Sequence, residues 1–323
     1  MELFYAGTLG INSDDAISSL TDQPLRASTL TDLQAAIDES KDDLIGLADA
    51  AFVPERVAWE AAAIKVEQGN ISAVVLHPAE GLIADIWSQI SPLVAALAIS
   101  PTHSGAVLIS REALASGLQA LTVQGEVRDP LWAVLVSLAA EGKLEGLPQG
   151  AAVDWGTLEL PGLAPSTPGR QSNWLKDAIR ECCANPELGS PDQRTYLRAA
   201  LYQLNDYLDA SHQASQSMEG DSIADHWHAI MHRREPDYGN SKYWYRRVGY
   251  SPLFDELNER ATQLQQSMPE AASLSQIGAG QQWDSFGFVD FCADCARNRD
   301  TRATALAKQI QYVEMLLLLQ QSL

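Results

Sequence analysis

The pattern of hydrophobic residues changes at one segment of the chain, residues 161–169, and this change restricts the folds open to it. The segment reads PGLAPSTPG, a density of proline and glycine that is typical of a linker or long loop. Before it, short β-branched runs alternate with helical stretches, whereas helical periodicity dominates after it. The sequence therefore predicts an α/β region over residues 1–165 and an all-α, bundle-like domain over residues 166–323.

The N-terminal region carries strand and helix signals in alternation. Residues 71–77 and 105–110 are apolar and β-branched, as buried strands are. Helices are predicted over residues 54–68, 82–99 and 129–142. Pro92 should interrupt or restart the second helix, because proline is tolerated in the first turn and disfavoured further along.

Two leucine-rich stripes at helical spacing lie in the C-terminal region. They are Leu197, Leu201, Leu204 and Leu208, and Leu306, Ile310, Val313 and Leu317. Such spacing places each set on one helix face, which predicts core packing. We expect at least four helices and no strand there. The apolar run at residues 315–319 is predicted to be core, or a contact for oligomerisation through the C-terminal helix.

The charge of the chain restricts its partners. A net charge of −20 repels nucleic acid and anionic membranes, so neither is an expected partner. No secretory signal or membrane-length apolar run is apparent. The adjacent Cys182 and Cys183 and the isolated pair Cys292 and Cys295 are predicted to be reduced and structural rather than paired. We therefore expect a soluble, cytoplasmic protein.

Residues 42–54, DDLIGLADAAFVP, resemble the strand, metal motif and following helix of family 2-type glycosyltransferase domains. Residues 104–111 look like a late strand of that fold. The family places two acidic residues after the strand to hold a divalent metal, and here those positions are Ala48 and Ala50. The resemblance thus implies a degenerate domain. We expect no nucleotide-sugar transfer, because Asp49 alone cannot replace the pair.

Histidines, basic residues and aromatic residues are concentrated in one segment of this acidic chain. Residues 226–249 read HWHAIMHRREPDYGNSKYWYRRVG, and Asp209-Ala210-Ser211-His212 precedes them. Both elements resemble those of an uncharacterised bacterial protein family, over roughly residues 195–320. That family continues with Gly-x-His-Pro, where this chain has Ser251. The resemblance implies a domain and no activity.

The spacing of this segment suggests a metal site. In a helix, Asp225, His228, His232 and Glu235 fall on one face, and Pro236 should end the helix soon afterwards. Two histidines four residues apart with a nearby carboxylate are competent to bind a metal. A divalent metal held by His228, His232 and Glu235 is the candidate cofactor, with His212 as a further ligand and Asp209 orienting a histidine.

Three functions remain open at this stage. The first is binding of an anionic or sugar-like small molecule, gripped by arginines and stacked on aromatic rings. The second is a metal-assisted or His/Asp acid–base hydrolase, and the third is a protein-interaction scaffold; whether the chain is an enzyme is undecided. A purely structural network, with the basic groups neutralised by Asp209, Asp225, Glu235 and Asp237, competes with all three. The candidate ligand-binding residues are Asp209, His212, His226, His228, His232, Arg233, Arg234, Glu235, Asp237, Asn240, Lys242, Tyr243, Trp244, Arg246 and Arg247.

Overall fold

Among the described residues, strands occur only before the proline- and glycine-rich segment and only helices follow it, as the change of pattern predicts. The computed structural model describes residues 3–6, 30–39, 42–49, 54–100, 105–122, 127, 129–149, 160–165, 173–272, 277, 282–298 and 301–323. Contacts between Cα atoms divide the chain into an N-terminal unit, Met1–Leu158, and a C-terminal unit, Glu159–Leu323. The predicted domain boundary after residue 165 stays a prediction.

The N-terminal unit contains a five-stranded mixed sheet with helices. The strands are β1 Leu3–Ala6, β2 Leu44–Asp49, β3 Ala73–Pro78, β4 Ala106–Ser110 and β5 Leu144–Gln149. The helices are α1 Leu30–Glu39, α2 Arg56–Glu67, α3 Leu82–Gln89, α4 Pro92–Ala98, α5 Arg111–Thr122 and α6 Pro130–Ala140. The sheet order is β1-β2-β4-β3-β5, and β3 pairs parallel with β5 while the other pairs are antiparallel.

Burial of apolar side chains explains why these segments form a layered structure. All six residues of β3 are buried, which fits a central strand covered on both faces. Trp59 on α2 packs with Leu76 of β3 and Leu108 of β4 in one cluster. Pro92 begins α4 after the Ser91 cap, so the predicted restart of the helix is confirmed.

Every helix or strand described in the C-terminal unit is a helix, which confirms the predicted fold class. Its α-helices are α7 Asn173–Ala184, α8 Pro191–Leu204, α9 Leu208–Gln216, α10 Ser222–Arg234, α11 Tyr238–Val248, α12 Leu253–Ser267, α13 Pro269–Ala272, α14 Ser285–Asn298 and α15 Thr301–Gln321. A 3₁₀ turn, Pro186–Leu188, follows α7. No residue described after position 159 lies in a strand.

Two consecutive helical hairpins, α8–α9 and α10–α11, share one construction with an offset of 30 residues. The hydroxyl of Ser211 on α9 donates to the carbonyl oxygen of Ala199 on α8 at 2.9 Å. The hydroxyl of Ser241 on α11 donates to the carbonyl oxygen of Ala229 on α10 at 2.8 Å. In both cases a buried serine ties the second helix of a hairpin to the backbone of the first. This arrangement also brings α9 against α10.

The two apolar stripes lie in the core, as predicted. Leu197, Leu201, Leu306 and Ile310 are fully buried, and the rest of both stripes is buried too. The run at residues 315–319 is also buried within the unit, so oligomerisation through it stays a prediction. No helix among the described residues is long and apolar enough to cross a membrane.

Candidate metal centre

Three histidines from two helices of the C-terminal unit meet at the α9–α10 contact. His212 lies on α9 and is half-buried, while His228 and His232 lie one turn apart on α10 and are buried. The ring centroids are 4.7 Å apart for His212 and His228, 5.2 Å for His212 and His232, and 4.8 Å for His228 and His232. One ligand nitrogen from each ring lies within 4.8 Å of the others. We call these residues the histidine triad.

Local sequence signals fix the helix that carries two of the three histidines. Asp221 caps the start of α10, accepting hydrogen bonds from the backbone N–H groups of Ile223 and Ala224 at 2.9 and 3.2 Å. The helix ends at Arg234, two residues before Pro236. His228 and His232 are four residues apart within it, so both rings project from the same face.

His228 is the most unusual member of the triad. It is 1% exposed, and neither ring nitrogen has a hydrogen-bond partner among the described protein residues. Its ring stacks on Trp244 of α11 with centroids 3.9 Å apart. Burial, and then the neighbouring charges of His232, His212 and Arg247, lower the pKa of His228 to about 3. The ring is therefore neutral at pH 7, and its lone pair is not used by the protein.

His232 is oriented by two polar neighbours. Its Nδ1 lies 3.4 Å from a carboxylate oxygen of Glu235, and the side-chain amide of Asn240 donates to its Nε2 at 3.0 Å. The amide nitrogen of Asn240 can only donate, so Nε2 holds the lone pair and uses it to accept this hydrogen bond, and Nδ1 carries the proton in the neutral ring. Burial and then His212 lower the pKa of His232 to about 4, against the opposing effect of Asp237. This ring is also neutral at pH 7.

Carboxylates lie close to the triad. Burial, followed by the charges of Asp209 and Asp237, raises the pKa of Glu235, and the nearby His212 opposes that rise. The side chain of Glu235 is 33% exposed, so it reaches solvent beside the triad. Asp237 caps α11 by accepting from the N–H of Asn240 at 3.1 Å. The surroundings of the histidines are therefore acidic, which favours a cation.

Most of the basic residues of the segment form ion pairs with other residues of the chain. Arg233 is fully buried and donates to Glu314 at 2.6 Å. Arg234 is also buried and pairs with Asp206, and it donates to the carbonyl oxygen of Gly162 at 2.9 Å.

The remaining basic residues lie nearer the surface. Lys242 pairs with Asp290 at 2.6 Å, and Arg247 pairs with Asp225 and Glu219 at 3.1 Å. Arg246 is exposed over the ring of Phe286, with its guanidinium carbon 5.5 Å from the centroid.

The structure brings some of the candidate residues together and separates others. His212, His228, His232, Asp209, Glu235, Asp237, Asn240 and Trp244 lie at or beside the triad. His226 turns away and bonds Glu314, and Tyr243 is exposed. Among the expected carboxylate partners of the basic groups, Asp225 does pair with Arg247.

Four carboxylate partners were not identified from the sequence: Glu314, Asp206, Asp290 and Glu219. The sequence did contain a signal for Glu314, because it is an acidic residue within an otherwise apolar stretch. In the structure it lies on α15 and is fully buried. A buried carboxylate must be paired. Glu314 should therefore have been expected to meet a buried arginine.

None of the four cysteines belongs to the histidine triad. Cys182, Cys183, Cys292 and Cys295 are free thiols and buried, and the last two lie on α14. Burial raises the pKa of Cys292 to about 12, so it is protonated at pH 7. This is the environment of a structural rather than a reactive cysteine.

Comparison of the chain with family models, with curated proteins and with solved structures finds no match. Both resemblances drawn from the sequence therefore stay expectations. The triad is a metal-competent group found within the described residues on geometry alone.

Proposed function

We propose that the chain binds a divalent transition metal of the Zn²⁺ type through His212, His228 and His232. The observation that carries the proposal is the convergence of three imidazoles with ligand nitrogens within 4.8 Å of one another. Tetrahedral Zn²⁺ with Zn–N distances of about 2.0–2.1 Å would hold the nitrogens roughly 3.4 Å apart. Metal binding would therefore require the rings to move closer together.

The protonation and hydrogen bonding of the triad support the same function. A metal binds neutral imidazole, and burial keeps His228 and His232 neutral well below pH 7. A metal at His232 would take the Nε2 lone pair that now accepts from the side-chain amide of Asn240. The two buried, unpartnered nitrogens of His228 cost stability in the free protein, and a metal would use one of them.

The alternative of an anionic ligand has weaker support. Four of the five basic residues between positions 233 and 247 are paired with carboxylates of the chain. Arg246 stacks on a phenylalanine at the surface. The acidic surroundings of the triad also oppose an anion. Four free thiols support the proposed cytoplasmic location.

Cobalt substitution tests the metal site directly. We expect one Co²⁺ per chain to give the intense visible absorption of tetrahedral coordination, and Zn²⁺ to displace it. Zinc at about 100 times its Kd should stabilise the fold by about 2.7 kcal/mol. His212→Ala should abolish the spectrum with little loss of stability, because this histidine is half-buried.

His77→Asn is the matched control, because His77 is a buried histidine of the N-terminal unit. It should leave the cobalt spectrum unchanged. A spectrum that persists in both His212→Ala and His228→Ala, or no stoichiometric binding by the unaltered chain, contradicts the proposal.

Metal-assisted hydrolysis is the reaction class that such a site supports. A zinc ion held by the three histidines would have a fourth position open to water and would supply acidification of that water. Glu235 lies beside the triad, is partly exposed and has a raised pKa, as a general base needs. We expect zinc-dependent hydrolysis of 4-nitrophenyl acetate, lowered at least about tenfold in Glu235→Gln while cobalt still binds. Equal activity in Glu235→Gln and the unaltered chain would remove this role.

A further inference from the structure

The segment between the two units packs into the C-terminal unit at residues 160–165. We call these six residues, LPGLAP, the strap. The strap forms neither helix nor strand, yet Pro161 and Leu163 are buried and only Ala164 is exposed. The sequence pattern predicts a linker here. The burial of Leu163, which is 8% exposed, shows instead that the strap lies in the unit as a bound peptide would.

Two fully buried side chains bind one main-chain carbonyl group of the strap. The carbonyl oxygen of Gly162 accepts from Nε of Arg234 at 2.9 Å and from Nε2 of Gln311 at 3.1 Å. The rest of the Arg234 guanidinium is fixed by the carbonyl oxygen of Gln203 and the carboxylate of Asp206. The two donors, from α10 and α15, are therefore held in place for an acceptor. We call them the slot.

The contacts of the slot are those of peptide recognition. Hydrogen bonds to main-chain groups supply affinity for any extended segment, and a pocket for a side chain supplies specificity. Here the side chain is Leu163, next to the bound carbonyl group. No side chain of the strap is charged. The buried donors require an acceptor, because a buried polar group without a partner is costly.

The strap is separable from the fold that holds it. The core of the C-terminal unit is built from the apolar stripes of its helices, to which the strap does not belong. A segment with few buried groups opens at a lower free energy than the whole fold. The strap also leaves the slot incompletely satisfied, because Oε1 of Gln311 is buried without a partner among the described residues. Another segment can therefore compete for the slot.

We propose that Arg234 and Gln311 form a peptide-binding slot that the strap fills as an internal ligand, and that an extended, uncharged segment of a partner protein replaces the strap. The partner segment has the chemistry of the strap, a main-chain carbonyl group followed by a leucine. Because the strap is part of the same chain, its effective concentration is about millimolar, and it blocks weak ligands. The slot uses no member of the histidine triad, so it does not depend on a metal.

A peptide with the sequence of the strap tests the slot in the full chain. Fluorescein-labelled LPGLAP is titrated with protein, and its fluorescence anisotropy is measured. Leu163→Asp should release the strap, because a buried charge without a partner is costly. We expect the peptide to bind this variant saturably and at least about tenfold more tightly than the unaltered chain, in which the strap competes. Ala164→Asp is the matched control at an exposed position, and it should bind the peptide no better than the unaltered chain does.

Two further measurements assign the peptide to the slot. A peptide with aspartate in place of the leucine, LPGDAP, should not bind. Adding Gln311→Leu to Leu163→Asp should weaken binding of LPGLAP about fivefold, the worth of one hydrogen bond. If circular dichroism shows that Leu163→Asp does not fold, a chain with residues 160–165 replaced by GSGSGS takes its place.

Four outcomes overturn the proposal. They are no saturable binding to the released chain by about 1 mM, equal binding of LPGDAP, no loss of affinity with Gln311→Leu, and failure of both altered chains to fold. The last would show that the strap is a required part of the fold and not a replaceable ligand.

Discussion

At the scale of the residue, the pKa of a buried charged side chain in this protein depends on the groups that pair with it. Arg233 and Glu314 are both fully buried, Tyr245 accepts a hydrogen bond from Arg233 and donates one to Glu314, and His226 also bonds to Glu314. Burial alone would raise the pKa of Glu314, but the Arg233 charge and the His226 hydrogen bond outweigh it and lower that pKa to about 2. The group acts as one buried network that ties α10, α11 and α15 together.

Removing one charge of this network should be costly. Glu314→Gln leaves the buried guanidinium of Arg233 without its counter-charge, so we expect the free energy of unfolding to fall by about 3–5 kcal/mol. Urea denaturation measures this. Glu256→Gln, at an exposed ion pair with Arg260, is the control and should change stability by less than about 0.5 kcal/mol. A loss below about 1 kcal/mol for Glu314→Gln would contradict the network.

At the scale of elements, the repeated hairpin explains where the triad lies. His212 on α9 meets α10, whereas Lys242, 30 residues later on α11, meets Asp290 on α14. The same position of the repeat thus supplies a member of the histidine triad in one hairpin and an ion pair in the next. The sequences of the two hairpins share little beyond the alanine and serine of the hydrogen bond, so the repeat emerges only from the structure.

The two serines should contribute equally to stability. Ser211→Ala and Ser241→Ala each remove one buried hydrogen bond between helices of a hairpin, and each should cost about 1 kcal/mol. Ser217→Ala is the control, because that hydroxyl is exposed and bonds within its own helix. Thermal unfolding of the three variants tests this. No loss for either buried serine would show that the hydrogen bond does not hold the hairpin.

At the scale of the whole molecule, acid stability should follow the buried histidines. His228 and His232 have folded pKa values of about 3 and 4, below the unfolded value of 6.5. The unfolded chain therefore binds more protons between pH 6.5 and pH 4, so stability is lost as the pH falls through that window. Glu314 adds a further loss below pH 4.5, as its lowered pKa of about 2 is approached.

Urea denaturation of the chelated protein between pH 7 and pH 4.5 measures the effect. We expect a slope approaching about 2.7 kcal/mol per pH unit near pH 5, from two groups that each contribute about 1.36. His232→Gln should reduce the slope by about half. Unchanged stability between pH 7 and pH 5 would show that the two rings are not held neutral by burial.

The sequence by itself determined the division into an α/β region and a helical region, because hydrophobic periodicity, proline positions and leucine spacing are local signals. It also determined that His228 and His232 share a helix face, since that follows from a spacing of four residues. The tertiary structure decided which groups meet. His212 joins the pair because α9 packs on α10, and Arg233 finds Glu314 from 81 residues away. Such pairings follow from the packing of helices, which a local sequence pattern does not encode. Burial then makes each pairing necessary for stability, because a buried polar or charged group without a partner is costly.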